Sequence, residues 1–167
     1  MILKLARFIS LLLGALSLAL AWAHLVEMRP KRSLPGAEWL TTLQTCRDLG
    51  KVASIAFPAA LLSTLTTLGF VHTRRMTAVL TAIGAACTAA TVAIWARCKE
   101  PVNRESHTWQ ADDLPANWRQ RRDQWEFAHD TSAALHAAGF TALLAATLRD
   151  RDREDHEPCV VPERNDQ

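Results

Sequence analysis

The chain has 167 residues, four cysteines, no tyrosine and a formal net charge of +2. That length gives one domain, and the near-neutral balance argues against nucleic acid or a strongly acidic partner. The cysteines (Cys46, Cys87, Cys98, Cys159) show no C-x-x-C spacing, which excludes zinc-ribbon and thioredoxin-like motifs, and the missing tyrosine excludes a tyrosyl radical or phenolate ligand.

The mean hydropathy is close to zero, but charge is sharply segregated along the chain. Four stretches carry no Asp, Glu, Lys or Arg: 8–26, 52–73, 76–96 and 131–148, with 19, 22, 21 and 18 residues. A helix crosses the hydrocarbon core with about 20 apolar residues. A soluble Ala-rich bundle of the same length carries charge along its outer face, and these stretches have none on any face. The reading is an all-α protein, a four-helix transmembrane bundle over residues 1–148 with the lipid bilayer as its partner, followed by a disordered charged tail over 149–167.

The first span starts after Lys4 and Arg7 and ends in Ala21-Trp22-Ala23, a sequence that also resembles a signal-peptidase site. Cleavage there would leave His24 as a copper-chelating N-terminus. The absence of a polar region before the site and the bulky Trp favour retention. Gly14, Ser17, Ala21, His24 and Glu27 share one face of this helix.

An even number of spans puts both termini on one side with Arg74 and Arg75, and two long loops, 27–51 and 97–130, on the other. Eight Lys and Arg in 28 residues on the terminal side, against eleven in 59 on the loop side, predict cytoplasmic termini. Pro35 before Trp39 and Pro115 before Trp118 each suit the first turn of a short interfacial helix. The loops are thus expected to be structured. Cys46 and Cys98 lie near the loop-side interface, where an oxidising compartment would allow a disulfide.

Pro58 predicts a kink in the second span. In the third, Thr77, Thr81, Gly84, Thr88, Thr91 and Trp95 form a stripe of small and hydroxylated residues, a packing seam. All six tryptophans fall on the loop side, where an interfacial belt alone would populate both interfaces. They are expected to line or lid the bundle mouth.

The fourth helix carries Arg122, Trp125, Glu126, His129, Ser132, His136 and Gly139 on one stripe. Antiparallel spans therefore bring His24-x-x-Glu27 and Glu126-x-x-His129 to the same end. Carboxylate and imidazole at i and i+3 are how helical bundles build metal sites. Two His and up to two Glu suit zinc, copper or a single non-haem iron; the alternative is a pair of ion pairs, with Arg122 or Lys51 neutralising the glutamates. His136, inside an apolar helix, either faces a cavity or is a neutral imidazole bonded within the bundle. Haem ligation by two of His24, His129 and His136 has no attachment motif behind it.

His24-Leu25-Val26-Glu27, Leu34-Pro35-x-x-Glu38-Trp39-Leu40, Pro101-Val102-Asn103 and Trp118-x-x-x-Arg122-x-x-Trp125-Glu126-x-x-His129 stand in an order that resembles a family of small four-span proteins including the anthrone oxygenases. The likeness runs to Leu148 and is stronger to the bacterial branch, whose function is mostly unassigned. Ala128 and Asp130-Thr131 depart from the oxygenase pattern around His129. The resemblance implies oxygen-dependent oxidation of an apolar or polycyclic substrate by a membrane oxidoreductase. His24, Glu27, Glu126 and His129 would then hold a metal or poise a base, with Arg122 steadying an oxyanion. Trp118 and Trp125 would stack on the substrate, Asn103 would orient it, and His136 would complete the pocket. The other reading is a non-enzymatic module that binds a lipid, a small ligand or a partner protein.

Overall fold

The computed structural model describes residues 1–156, apart from the side chains of 29, 47 and 152–156. Helix α1 spans Ile2–Arg32, α2 Gly36–Thr45, α3 Arg47–Val71 and α4 Arg75–Ile94. A π-helical turn, Trp95–Lys99, leads from α4 into α5, Glu100–Ser106, and α6 spans Trp118–His156. Among the described residues there is no strand, only an isolated bridge between Gln110 and Asp113. Four segments are long and apolar enough to cross a membrane: Ile2–Met28, Asp48–Val71, Arg75–Ser106 and Trp118–Arg151. The protein is an all-α bundle that fits a multi-pass membrane protein.

The distribution of side chains is that of a molecule solvated by lipid. On α1 the buried face is Arg7, Ser10, Ser17, Ala21 and Met28, while Leu5, Phe8, Leu12 and Leu16 are exposed. The third span buries Thr77, Thr81, Gly84, Thr88 and Thr91 and exposes Met76, Val79 and Ile83. Without a hydrophobic drive between helices, close approach of small residues supplies the packing. Most of the buried threonine hydroxyls return hydrogen bonds to the preceding turn, as from Thr81 to the Thr77 carbonyl and from Thr88 to that of Gly84, which satisfies them without water. The expected seam on the third span is present and faces α6.

Each of the four long helices packs on two others, in the cyclic order α1, α3, α4, α6. The tightest approach is between α4 and α6. A Cβ on Gly84 would lie 2.8 Å from Leu143 and 3.2 Å from the Gly139 carbonyl, and one on Gly139 would lie 3.0 Å from Cys87.

Two expectations are corrected. The second interfacial helix is absent: Pro115 closes a turn onto Trp118, where α6 begins and runs unbroken into the bundle. A short helix instead follows α4 through the π turn, with Pro101 near its start. Pro58 lies inside α3, where its missing N–H leaves the Ser54 carbonyl without its helical donor. Second, the tail is helical from Arg149 to His156, because Asp150 is buried to 1 % exposure and anchors the end of α6. The rest of that tail, 157–167 with Cys159, lies outside the described residues.

Asp150 accepts from the guanidinium of Arg7 on α1 and of Arg74 in the turn between α3 and α4. Thr77 Oγ1 lies 3.4 Å away on α4. All four long helices are therefore tied at the terminal end. Nearby, Ser10 and Thr67 share a 2.8 Å hydrogen bond between α1 and α3. At the opposite end Met28, Trp39, Leu40, Val102 and Trp125 form the buried hydrophobic cluster, with Trp109 and Trp118 packed against it. Four of the six tryptophans thus belong to this packed cap.

Candidate functional site

A cavity of about 380 Å³ opens at the loop end, bounded by α1, α2, α3, the π turn, α5 and α6. That volume lies toward the lower end of the roughly 300–1,000 Å³ typical of small-molecule sites. Trp39, Phe57, Trp95 and Trp125 give it an apolar wall, and Lys51, Arg104 and His107, all exposed, sit at its rim.

His24 from α1 and His129 from α6 both line the cavity, with ring centroids 4.4 Å apart. Their meeting follows from the antiparallel pairing of two helices that each present small residues to the other. Trp125 lies one turn before His129 and packs on both imidazoles, at 4.1 Å from His129 and 5.7 Å from His24. Asn103 on α5 fixes that indole, accepting a 2.9 Å hydrogen bond from Trp125 Nε1.

The two glutamates do not join the histidines. Glu27 points outward, half exposed, and pairs with Lys31 at 2.5 Å. Glu126 is buried but turned from the cavity, held by Arg32 Nε at 2.9 Å, with Arg122 Nε 3.9 Å from its other oxygen. Arg32 also binds Asp130 at 2.5 Å, and these two carboxylates push its guanidinium further toward the charged form. The cause is one of register. Glu27 and Glu126 lie three residues from their histidines, and that step of about 300° on a helix carries them to the flank of the stripe, where cations are within reach.

The four-residue metal set is therefore not assembled. Among the described residues no group of three or more His, Cys, Asp or Glu is placed to hold a metal ion. Each carboxylate already has a cation where a metal would need it as a ligand. The ion-pair alternative describes the glutamates better, with Arg32 and Lys31 in place of Lys51, which pairs with Asp48 at 2.6 Å.

Other expected site residues divide between the cavity and its surroundings. Asn103 and Trp125 line the cavity. Arg122 does not: it reaches the Leu34 carbonyl at 3.5 Å and stacks 5.1 Å from the Trp118 ring. Trp118 is likewise outside, packed 6.4 Å from Trp39 and covering Gly36, where a Cβ would meet it at 2.9 Å. Both residues hold the two loops together. His136 is buried beneath the cavity, 4.6 Å from the Phe57 ring, and its Nε2 has no hydrogen-bond partner among the described residues. Cys46 and Cys98 are free thiols.

The sequence reading passed over Lys99. Its side chain is 3 % exposed, lies on the cavity wall and stands 5.9 Å from the centre of the Phe57 ring. Stepping on from the seam by helical spacing (Thr88, Thr91, Trp95) arrives at this position. It was hidden because it falls beyond the last uncharged residue of the span.

No protein-family model, curated protein or solved structure matches the chain.

Proposed function

We propose that this protein is a membrane oxidoreductase that draws an apolar, ring-bearing substrate into the loop-end cavity and oxidises it with dioxygen. The observation that carries the reading is the His24–His129 pair in the wall of an aromatic cavity, with both neighbouring glutamates neutralised elsewhere. An imidazole ordinarily titrates near pH ~6.5 and serves as a general base close to neutral pH. One of the pair removes a proton from an activated CH2 of the substrate. Dioxygen adds to the resulting carbanion, and protonation gives a hydroperoxide. Loss of water from it leaves a carbonyl, so CH2 and O2 become C=O and H2O. The oxidant is dioxygen itself. The likeness of the chain to the anthrone oxygenases supports this order of events.

A second reading, a non-enzymatic binder of the same class of molecule, is favoured by one detail. Among the described residues neither imidazole has a carboxylate to orient it, and general bases are usually oriented by a third group. Incubation of nanodisc-embedded protein with an anthrone under air separates the two. Enzyme activity gives quinone absorbance with matching oxygen uptake, reduced about 100-fold or more in His129→Ala and in His24→Ala. Quenching of tryptophan fluorescence without turnover supports the binder, and absence of both signals removes both readings.

We place the termini in the cytoplasm on the density of basic residues. A membrane-impermeant thiol reagent then labels Cys46 or Cys98 in intact cells and reaches Cys159 only after lysis. Labelling of Cys159 alone inverts the orientation.

A further inference from the structure

The walls of the cavity carry an uncompensated charge. Four cations line it: Lys31, Lys51, Lys99 and Arg104. Three have a carboxylate of their own, Lys31 with Glu27 at 2.5 Å, Lys51 with Asp48 at 2.6 Å and Arg104 with Glu100 at 3.6 Å. Lys99 has no carboxylate partner and no hydrogen bond among the described residues, and it is the most deeply buried of the four. Its nearest favourable neighbour is the face of Phe57, at a distance where a cation–π contact is weak.

Burying an ammonium without a counter-charge costs several kcal/mol on general grounds, and a long lysine near a helix end normally escapes by reaching for the interface. Lys99 does the opposite. The turn that presents it is π-helical, and single π turns are frequent at functional sites. Membrane proteins that keep an ionisable group inside usually do so on a ligand or ion pathway.

We propose that Lys99 anchors the anionic group, a carboxylate or phenolate, of an apolar ring-bearing ligand whose body lies against Trp125 and Phe57. This rests on the reading of the cavity as a small-molecule site and adds the charge of what enters it. One anionic group per ligand matches the one cavity cation left unpaired among the described residues. The same arrangement suits the proposed chemistry, since an acidic phenol ionises on binding and its ring then lies within reach of the histidines.

The test compares anthracene-9-carboxylate with neutral 9-methylanthracene, titrated into nanodisc-embedded protein by tryptophan quenching and corrected with empty nanodiscs. Wild type is expected to bind the carboxylate at least tenfold more tightly than the hydrocarbon. Lys99→Met, of similar length and uncharged, should lose that preference while binding the hydrocarbon as before. The same variant should melt at a higher temperature than wild type without ligand, since it removes an uncompensated charge. Equal binding of both probes by wild type overturns the anchor and leaves the cavity a binding site. Binding of neither removes the cavity reading as well. The wild-type comparison stands alone should the variant fail to fold.

Discussion

Individual residues near the histidines separate two kinds of charge that look alike in sequence. Glu27 and Glu126 stand at mirror-image spacings from His24 and His129, yet one is solvated beside Lys31 and the other is buried beneath Arg32. Glu27→Gln should therefore change stability by no more than about 0.5 kcal/mol, as surface substitutions usually do. Glu126→Gln should cost on the order of 1–2 kcal/mol, less than a fully buried pair because Arg32 is 46 % exposed and screened. Thermal unfolding in detergent measures both. Neither variant should weaken ligand binding; a loss of binding in both would return the glutamates to the site. The convergence of His24 and His129 was legible from helical spacing and antiparallel spans alone. The destination of each carboxylate was not, because it depends on the rotamers of Arg32 and Lys31, and a side chain of that length reaches partners on either flank of a helix.

At the level of elements, the charge-free stretches located every long helix, because exclusion of charge from hydrocarbon is a constraint on each residue separately. Their ends were misplaced for the same reason. Helices α1 and α6 continue well past the last apolar residue, since charged residues are good helix formers once outside the core. The stripe on α6 that gave His129 and His136 steps on through Gly139, Leu143 and Ala146 to Asp150, so the face was readable beyond the point where the apolar run stops. The contact between α4 and α6 depends on Gly84 and Gly139. Gly84→Val places branched carbon against Leu143 and the Gly139 carbonyl, and should destabilise the bundle by about 1–3 kcal/mol, as overpacking does. A lowered melting temperature, with Gly69→Val unchanged beside it, checks this, since a Cβ on Gly69 meets nothing within 4 Å. Equal effects at both glycines would mean that helix propensity rather than close packing is being measured.

In the whole molecule the polar features occupy the two ends and the middle is packed from small residues. At the terminal end Asp150 is the shared acceptor for Arg7 and Arg74. Asp150→Asn leaves two guanidiniums facing a neutral amide and should cost on the order of 3 kcal/mol, the scale of breaking a buried pair from one side. Chemical or thermal unfolding of the variant reads that loss, and a loss below about 0.5 kcal/mol would mean that the other contacts of the two arginines hold this end.

That clamp also has a mechanical side. The four long helices are riveted at one end, and at the other the cavity lies between α1, α3 and α6. Such a frame behaves like tongs, so any spreading that admits a molecule pivots about the rivet. Small leverage at Asp150 becomes a large change of aperture some 30 Å away, on the about 1.5 Å rise per residue of α6 between positions 129 and 150. Asp150→Asn should therefore change the rate at which a quenching probe enters and leaves the cavity, read by stopped-flow tryptophan fluorescence.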